Sequence, residues 1–131
     1  MKVLALDYGS ARTGVAISDP TGTLARPLGV VEKAATDAGL QRVVELIREE
    51  EAERVVVGLP LTLRGAKGTQ ARETERFVKA LREAVDVPVE TFDERFTTAL
   101  ASQSGGRSTP EDARAAAHLL SSWLEWQSVR R

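Results

Sequence analysis

The segment Val3-Leu4-Ala5-Leu6-Asp7 constrains this chain more than any other. Alternate side chains of a strand point to opposite faces of its sheet, so four apolar residues in a row suit a strand covered on both sides. A sheet holding such a strand needs packing layers above and below it. An acid that closes a buried strand is costly to desolvate, which makes Asp7 a candidate for more than turn formation. Its plainer reading is the start of a turn at Gly9.

The rest of the chain fits a layered structure. Tyr8–Gly14 reads as a turn, Val15–Ser18 as a second short strand and Asp19–Gly22 as a second turn. Strands this close, joined by tight turns, run antiparallel. A third strand is expected over Leu24–Glu32. Helical spacing of Leu40, Val43, Val44 and Ile47 predicts a helix over Asp37–Glu51. Arg54–Gly58 is a buried strand, and Leu59–Gly68 a glycine-rich loop. Ala71–Val85 is a second helix, with Phe77, Val78, Leu81 and Val85 inward, and Val87–Phe92 is a fifth strand. A short helix is expected over Thr97–Gln103 with Thr97 as its N-cap, then a mobile loop over Ser104–Ser108, then a last helix over Thr109–Glu125. The expected fold is α/β, one mixed five-stranded sheet whose first three strands are antiparallel, flanked by helices.

A length of 131 residues favours one domain over 1–131 and is too short for the paired domains of actin-like kinases. With no cysteine, disulfides, thiolate metal sites and a cysteine nucleophile are excluded, which fits a reducing cytoplasm. No apolar stretch approaches the ~20 residues of a membrane span, and the N-terminal run is too short for a signal peptide. No Gly-x-Gly-x-x-Gly follows the first strand, so dinucleotide binding is not expected. The net charge of −1 requires that any nucleic-acid contact come from a local patch.

Three acids fall at element ends: Asp7 after the first strand, Glu94 just past the fifth, and Asp112 in the first turn of the last helix. Ligands of such sheets gather outside the carboxyl ends of the parallel strands, where Asp7, the Gly58–Gly68 loop and Glu94 would all emerge. Converging carboxylates repel one another unless cations neutralise them, and hard oxygen ligands suit Mg²⁺ or Mn²⁺. Each acid also has an ordinary reading. Glu94 alone could be an exposed loop charge. Thr109-Pro110-Glu111-Asp112 places Thr at an N-cap, Pro at the first helical position and an acid at the third, a pattern that favours capping for Asp112.

Four motifs occur in order: Asp7-Tyr8-Gly9-Ser10-Ala11-Arg12-Thr13-Gly14-Val15-Ala16, Gly58-Leu59-Pro60-Leu61 with Gly65, Asp93-Glu94-Arg95-Phe96-Thr97-Thr98, and Asp112-Ala113-Arg114-Ala115-Ala116-Ala117-His118-Leu119-Leu120. Together they resemble the signatures of the YqgF/RuvX family of pre-16S rRNA nucleases, over nearly the whole chain. The resemblance implies a ribonuclease H-like fold related to Holliday junction resolvases. It also implies a bacterial cytoplasmic enzyme linked to maturation of the 5′ end of 16S rRNA, with Asp7, Glu94 and Asp112 as its acidic positions. Two departures stand out. Arg107 is the only cation between Gly105 and Pro110, where the family is often lysine-rich, and Ala115 replaces the second acid that resolvase relatives often carry.

On that reading Asp7 bridges two metal ions roughly 3.5–4 Å apart once substrate is bound, and the reaction is in-line hydrolysis of a phosphodiester. Glu94 holds the ion that activates water, and Asp112 the ion at the leaving oxygen. Arg12, Arg64, Lys67 and Arg95 are candidate substrate contacts, each with a solvated cation or a salt bridge as its plainer reading. The substrate is a pre-16S rRNA or other structured RNA, with a ribosomal particle as a potential partner, and the chain is a monomer or weak dimer with no membrane association. Tyr8 is a further candidate for the site. His118 lies six residues past Asp112, off its helical face. Trp123 and Trp126 fit packing or a partner contact better than base stacking. Two alternatives stand: a Holliday junction resolvase acting on branched DNA, and a non-catalytic RNA- or protein-binding module of the same fold.

Overall fold

The computed structural model describes residues 1–97 and 110–130. Five strands, β1 (Val3–Asp7), β2 (Arg12–Ser18), β3 (Ala25–Glu32), β4 (Arg54–Leu59) and β5 (Val89–Asp93), form one sheet in the order β3-β2-β1-β4-β5. The β1–β2 and β2–β3 pairs are antiparallel, and β1–β4 and β4–β5 are parallel. Three α-helices are described: α1 (Asp37–Glu49), α2 (Thr69–Ala84) and α3 (Glu111–Arg130). A 3-10 turn, Glu94–Phe96, follows β5.

The continuous apolar run of β1 has the expected cause. Leu4 and Leu6 join Val15, Ile17, Val55 and Val57 beneath α1 and α2, in a core with Val43, Ile47, Phe77 and Leu81. Val3 and Ala5 point the other way, with Ala16, Val56 and Phe92, against Ala116, Ala117, Leu119, Leu120 and Trp123 of α3. Each fully buried Leu or Val contributes about 1.5–3 kcal/mol by leaving water, so the doubly covered β1 and β4 anchor the sheet. At the β3 edge a bulge opens between Val15 and Ala16, and Pro27, which has no N–H to donate, sits where no further strand needs one.

Several boundaries differ from the sequence-based expectation. β2 starts at Arg12, because the ladder to β3 runs on through Arg12–Glu32, Thr13–Val31 and Gly14–Val30. The turn is therefore shorter, and Arg12 belongs to a strand. α1 stops at Glu49, and the chain leaves it through Glu51 in a left-handed conformation (φ 56°). α2 begins two residues early at Thr69, and β5 begins at Val89 because Pro88 cannot donate to the ladder. Thr97 closes the preceding 3-10 turn, its N–H donating to the Glu94 carbonyl at 3.0 Å, and Asp93 is the cap of that turn. The remainder of the expected Thr97–Gln103 helix, the Ser104–Ser108 loop and the Thr109 cap lie outside the described residues. α3 runs five residues past Glu125, to Arg130.

Candidate active site

Asp7 ends β1 with a neighbour on each side that lacks a side chain. Its antiparallel partner in β2 is Gly14. On the other side Gly58 follows Val57, the parallel partner of Leu6, just as Asp7 follows Leu6. The two glycines admit the other two acids. A Cβ on Gly14 would lie 1.8 Å from the backbone carbonyl oxygen of Asp112, so the first turn of α3 rests directly on β2 there. A Cβ on Gly58 would lie 2.6 Å from Glu94 Oε1. Glu94 is carried to this point by the 3-10 turn, which the Asp93 side chain caps by accepting from the Arg95 N–H at 2.9 Å.

Asp7 and Glu94 are hydrogen-bonded through their carboxyl groups, with a protonated Glu94 donating to Asp7. Both acids are held above their ordinary range, chiefly by burial. Glu94 is pushed up to about 7 by burial, by that hydrogen bond and by the charges of Asp7 and Asp93. Asp7 is raised by burial and by the charge of Asp112, against the lowering effect of the Glu94 hydrogen bond. As pH falls through about 7 the pair thus takes up its first proton, which the two crowded carboxylates share. Gly58→Ala should turn the Glu94 side chain away and return its titration toward the ordinary carboxylate range, which side-chain NMR would read. An unmoved titration would mean that the cleft adapts elsewhere.

Asp112 is near enough to act on Asp7 electrostatically, but its carboxylate is turned to Arg12, Oδ2 to Nε at 3.1 Å. Among the described residues no group of three acids or histidines stands ready to hold a metal ion. The trio expected from sequence is present as a pair plus a third acid held aside by a salt bridge. The donor set still fits a hard divalent cation: two half-buried carboxylates now bridged by a proton, and a third paired with an exposed arginine.

The pair opens into a cleft of about 440 Å³ lined by Asp7, Tyr8, Ser10, Pro60, Glu73 and Glu94, among others. Tyr8 stacks on Phe77, ring centroids 4.8 Å apart, which fixes one wall. A larger cavity of about 700 Å³ opens at the far end of the sheet, by Met1, Arg54 and Trp123. Of its charged lining residues, Arg54 is tied to Glu90 at 3.0 Å and no acids converge, so the smaller cleft is the candidate site.

Three α2 residues in the cleft, Gln70, Glu73 and Thr74, were not anticipated. Their signal was legible in principle. Gln70, Glu73 and Phe77 fall three and four residues apart, on the stripe already assigned inward through Phe77.

The expected substrate cations divide. Arg64 is exposed on the Pro60–Gly68 loop with no ion pair among the described residues. Lys67 is bound to Glu75 at 2.8 Å. Arg12 holds Asp112. Arg95 clasps Asp93, Nε at 3.0 and 2.9 Å from its two oxygens and Nη2 at 2.5 Å, with Nη1 donating to the Leu63 carbonyl at 3.4 Å. Of the four, only Arg64 is unengaged among the described residues.

His118 lies outside the cleft, partly buried, its pKa lowered by burial and by Arg114. Trp123 is fully buried in the α3 core. Trp126 packs on Phe92 at 5.6 Å beneath the Arg130 guanidinium.

A family model described as "RuvX: Holliday junction resolvase" matches residues 1–126. Relatives carrying the name "Putative pre-16S rRNA nuclease" include a protein of Chloroflexus aurantiacus (strain ATCC 29366 / DSM 635 / J-10-fl), 46% identical over 101 residues. That match spans 77% of this chain and 66% of the relative, just under two thirds of its length. A second, from Anaeromyxobacter sp. (strain Fw109-5), is 41% identical across 95% of this chain and 97% of its own. Among solved structures, T. thermophilus RuvC in complex with a Holliday junction substrate superposes with a TM-score of 0.67 at 18% identity, covering 98% of this chain and 96% of that one. The fowlpox virus Holliday junction resolvase gives 0.60 at 13% identity, covering 96% and 99%. At these identities the likeness is one of fold, and it is the ribonuclease H-like fold expected from the sequence.

Proposed function

Because this chain belongs to the RuvX family of Holliday junction resolvases, we propose that it is a nuclease whose phosphodiester-cleaving site is formed by Asp7, Glu94 and Asp112. The observation that carries this reading is the half-buried Asp7–Glu94 pair, sharing a proton at the carboxyl ends of the parallel strands with the charge of Asp112 in reach. The proposed substrate is the precursor of 16S rRNA, after the name of the relatives at 41–46% identity, acting in the bacterial cytoplasm and on a ribosomal particle or its free RNA.

Asp7 and Glu94 would hold Mg²⁺ or Mn²⁺, with Asp112 joining them once it leaves Arg12. Bound divalent ions, two with substrate in place, would activate a water and neutralise charge growing on the phosphate. The chain's own residues do the rest. Release of the shared proton from Glu94 Oε frees the oxygens that face the cleft. Swinging of Asp112 away from Arg12 leaves a guanidinium at the site's edge, able to pair with a substrate phosphate. The stacked Tyr8–Phe77 wall limits water on one side. Since the proton on Glu94 competes with a cation, apparent Mn²⁺ affinity measured by calorimetry should rise roughly tenfold from pH 6 to pH 8. A flat profile would mean that the pair is not the ligand.

The test is cleavage of a pre-16S rRNA leader with Mg²⁺ or Mn²⁺, with chelator and Asp7→Asn as controls. Cleavage that survives either control would sink the assignment. The family description favours a second substrate, branched DNA. A four-way junction assayed beside the RNA leader separates the two. Absence of divalent binding even with RNA present would instead favour a non-catalytic binding module, the reading to which the net charge of −1 lends some support.

A further inference from the structure

The motif that carries Glu94 also carries Arg95, an arginine spent on the protein itself. Its guanidinium lies across the gap between two elements that no strand pairing joins: the 3-10 turn after β5 and the loop between β4 and α2. On one side it holds Asp93, which caps the turn that positions Glu94. On the other, Nη1 donates to the carbonyl of Leu63. The loop is shaped to receive it. Leu61 and Lys67 form an isolated antiparallel bridge, and the Gly65 N–H and the Ala66 N–H both bond back to Thr62, to its carbonyl and its hydroxyl. Gly65 faces the guanidinium with φ +82°, and a Cβ there would lie 3.3 Å from Nη1. An L side chain at Gly65 would be strained by the backbone and would crowd the arginine as well. At the tip this small hairpin exposes Leu63 (94% exposed) and Arg64.

We propose that Arg95 is a positioning residue, a latch that fixes the Pro60–Gly68 hairpin, which flanks the cleft through Pro60, against the Glu94 turn and so sets where Arg64 at its tip is held. It is not itself a phosphate contact, because both ends of its guanidinium are already engaged with Asp93 and the hairpin. The consequence for substrate binding rests on the nuclease reading above. The latch itself does not, and the free protein can test it.

Trypsin cleaves after arginine and lysine, and Arg64 and Lys67 are exposed on the hairpin of the substrate-free protein. Arg95→Ala should speed cutting there at least tenfold, with cutting inside α1 at Arg48 unchanged, and Arg95→Lys should fall between, since lysine keeps a donor but not the fork. Gly65→Ala should loosen the same hairpin from its other side. Unchanged hairpin cutting in both Arg95→Ala and Gly65→Ala overturns the latch, whatever the protein's activity. The second measurement concerns RNA. Because Arg95 acts through Arg64, Arg95→Ala should raise KM severalfold in the native background and much less in an Arg64→Ala background. Additive losses of affinity in that double-mutant cycle, with a shallower salt dependence for Arg95→Ala alone, would make Arg95 a direct phosphate contact and overturn the proposal. Failure to cleave or bind RNA at all would bear on the nuclease reading and leave the proteolysis result standing.

Discussion

Gly14→Ala is expected to unseat α3 and lower the melting temperature by roughly 10 °C or more. The methyl group would enter 1.8 Å from the Asp112 carbonyl oxygen, 2.4 Å from its carbon and 3.1 Å from the Ala113 nitrogen. All three are backbone atoms of a helix, so no side chain can rotate aside, and the first turn must recede by roughly 1 Å. Among the described residues, α3 covers the second face of the sheet, through Ala116, Ala117, Leu119, Leu120 and Trp123 against Val3, Ala5, Ala16, Val56 and Phe92. Thermal melts followed by circular dichroism, with dye binding for exposed apolar surface, check the expectation. A melting temperature within about 2 °C of the native value would show that the helix start yields freely. The same recession would carry Asp112 away from Asp7, so cleavage should fall even at temperatures where the variant is folded. Gly58→Ala makes an instructive contrast. Its nearest atoms belong to the Glu94 and Leu119 side chains, so the site should suffer more than the fold.

Glu94→Gln is expected to lower cleavage about 10³-fold while making the free protein more stable at pH 8. The loss follows if Glu94 is a metal-binding carboxylate. The gain follows from the proton that Glu94 holds. Its folded pKa, about 7, exceeds its ordinary 4.5, so between those values the folded state binds more protons than the unfolded one. Stability then falls as pH rises from about 4.5 to 7, and the loss is complete above that. Glutamine keeps a hydrogen on the side facing Asp7, as protonated glutamate does, and never acquires the charge. The variant should therefore melt within error of the native protein at pH 4.5 and roughly 3–6 °C higher at pH 8. Saturating Mn²⁺ should reverse the order at pH 8, because the cation stabilises only the protein that binds it. A stability difference independent of pH would mean that Glu94 is not crowded by Asp7.

Much of this protein was determined by local pattern. The apolar runs Val3–Leu6 and Val55–Val57 dictate strands covered on two faces, and the spacings around Leu40–Ile47 and Phe77–Leu81 dictate the helices that cover one of them. These are short-range properties, since a strand's alternation and a helix's stripe are complete within a few residues. Asp7 stood out for the same reason, as an acid where the chain leaves a buried strand, and Glu94 through its Asp93-Glu94-Arg95 setting. What only the tertiary structure decided is which groups meet. Strand register set Gly14 and Gly58 on either side of Asp7, and nothing within either segment shows that a helix carbonyl and a glutamate from far along the chain would fill the space. The arginines show the same limit: alike in sequence, Arg12 holds Asp112, Arg95 holds Asp93 and the Leu63 carbonyl, and Arg64 has no ion pair among the described residues, because a long charged side chain takes its partner from whatever the fold brings within reach. The acid at the end of the first strand marked a candidate site in the sequence. Its shared proton, and the third acid held aside by Arg12, are products of long-range packing alone.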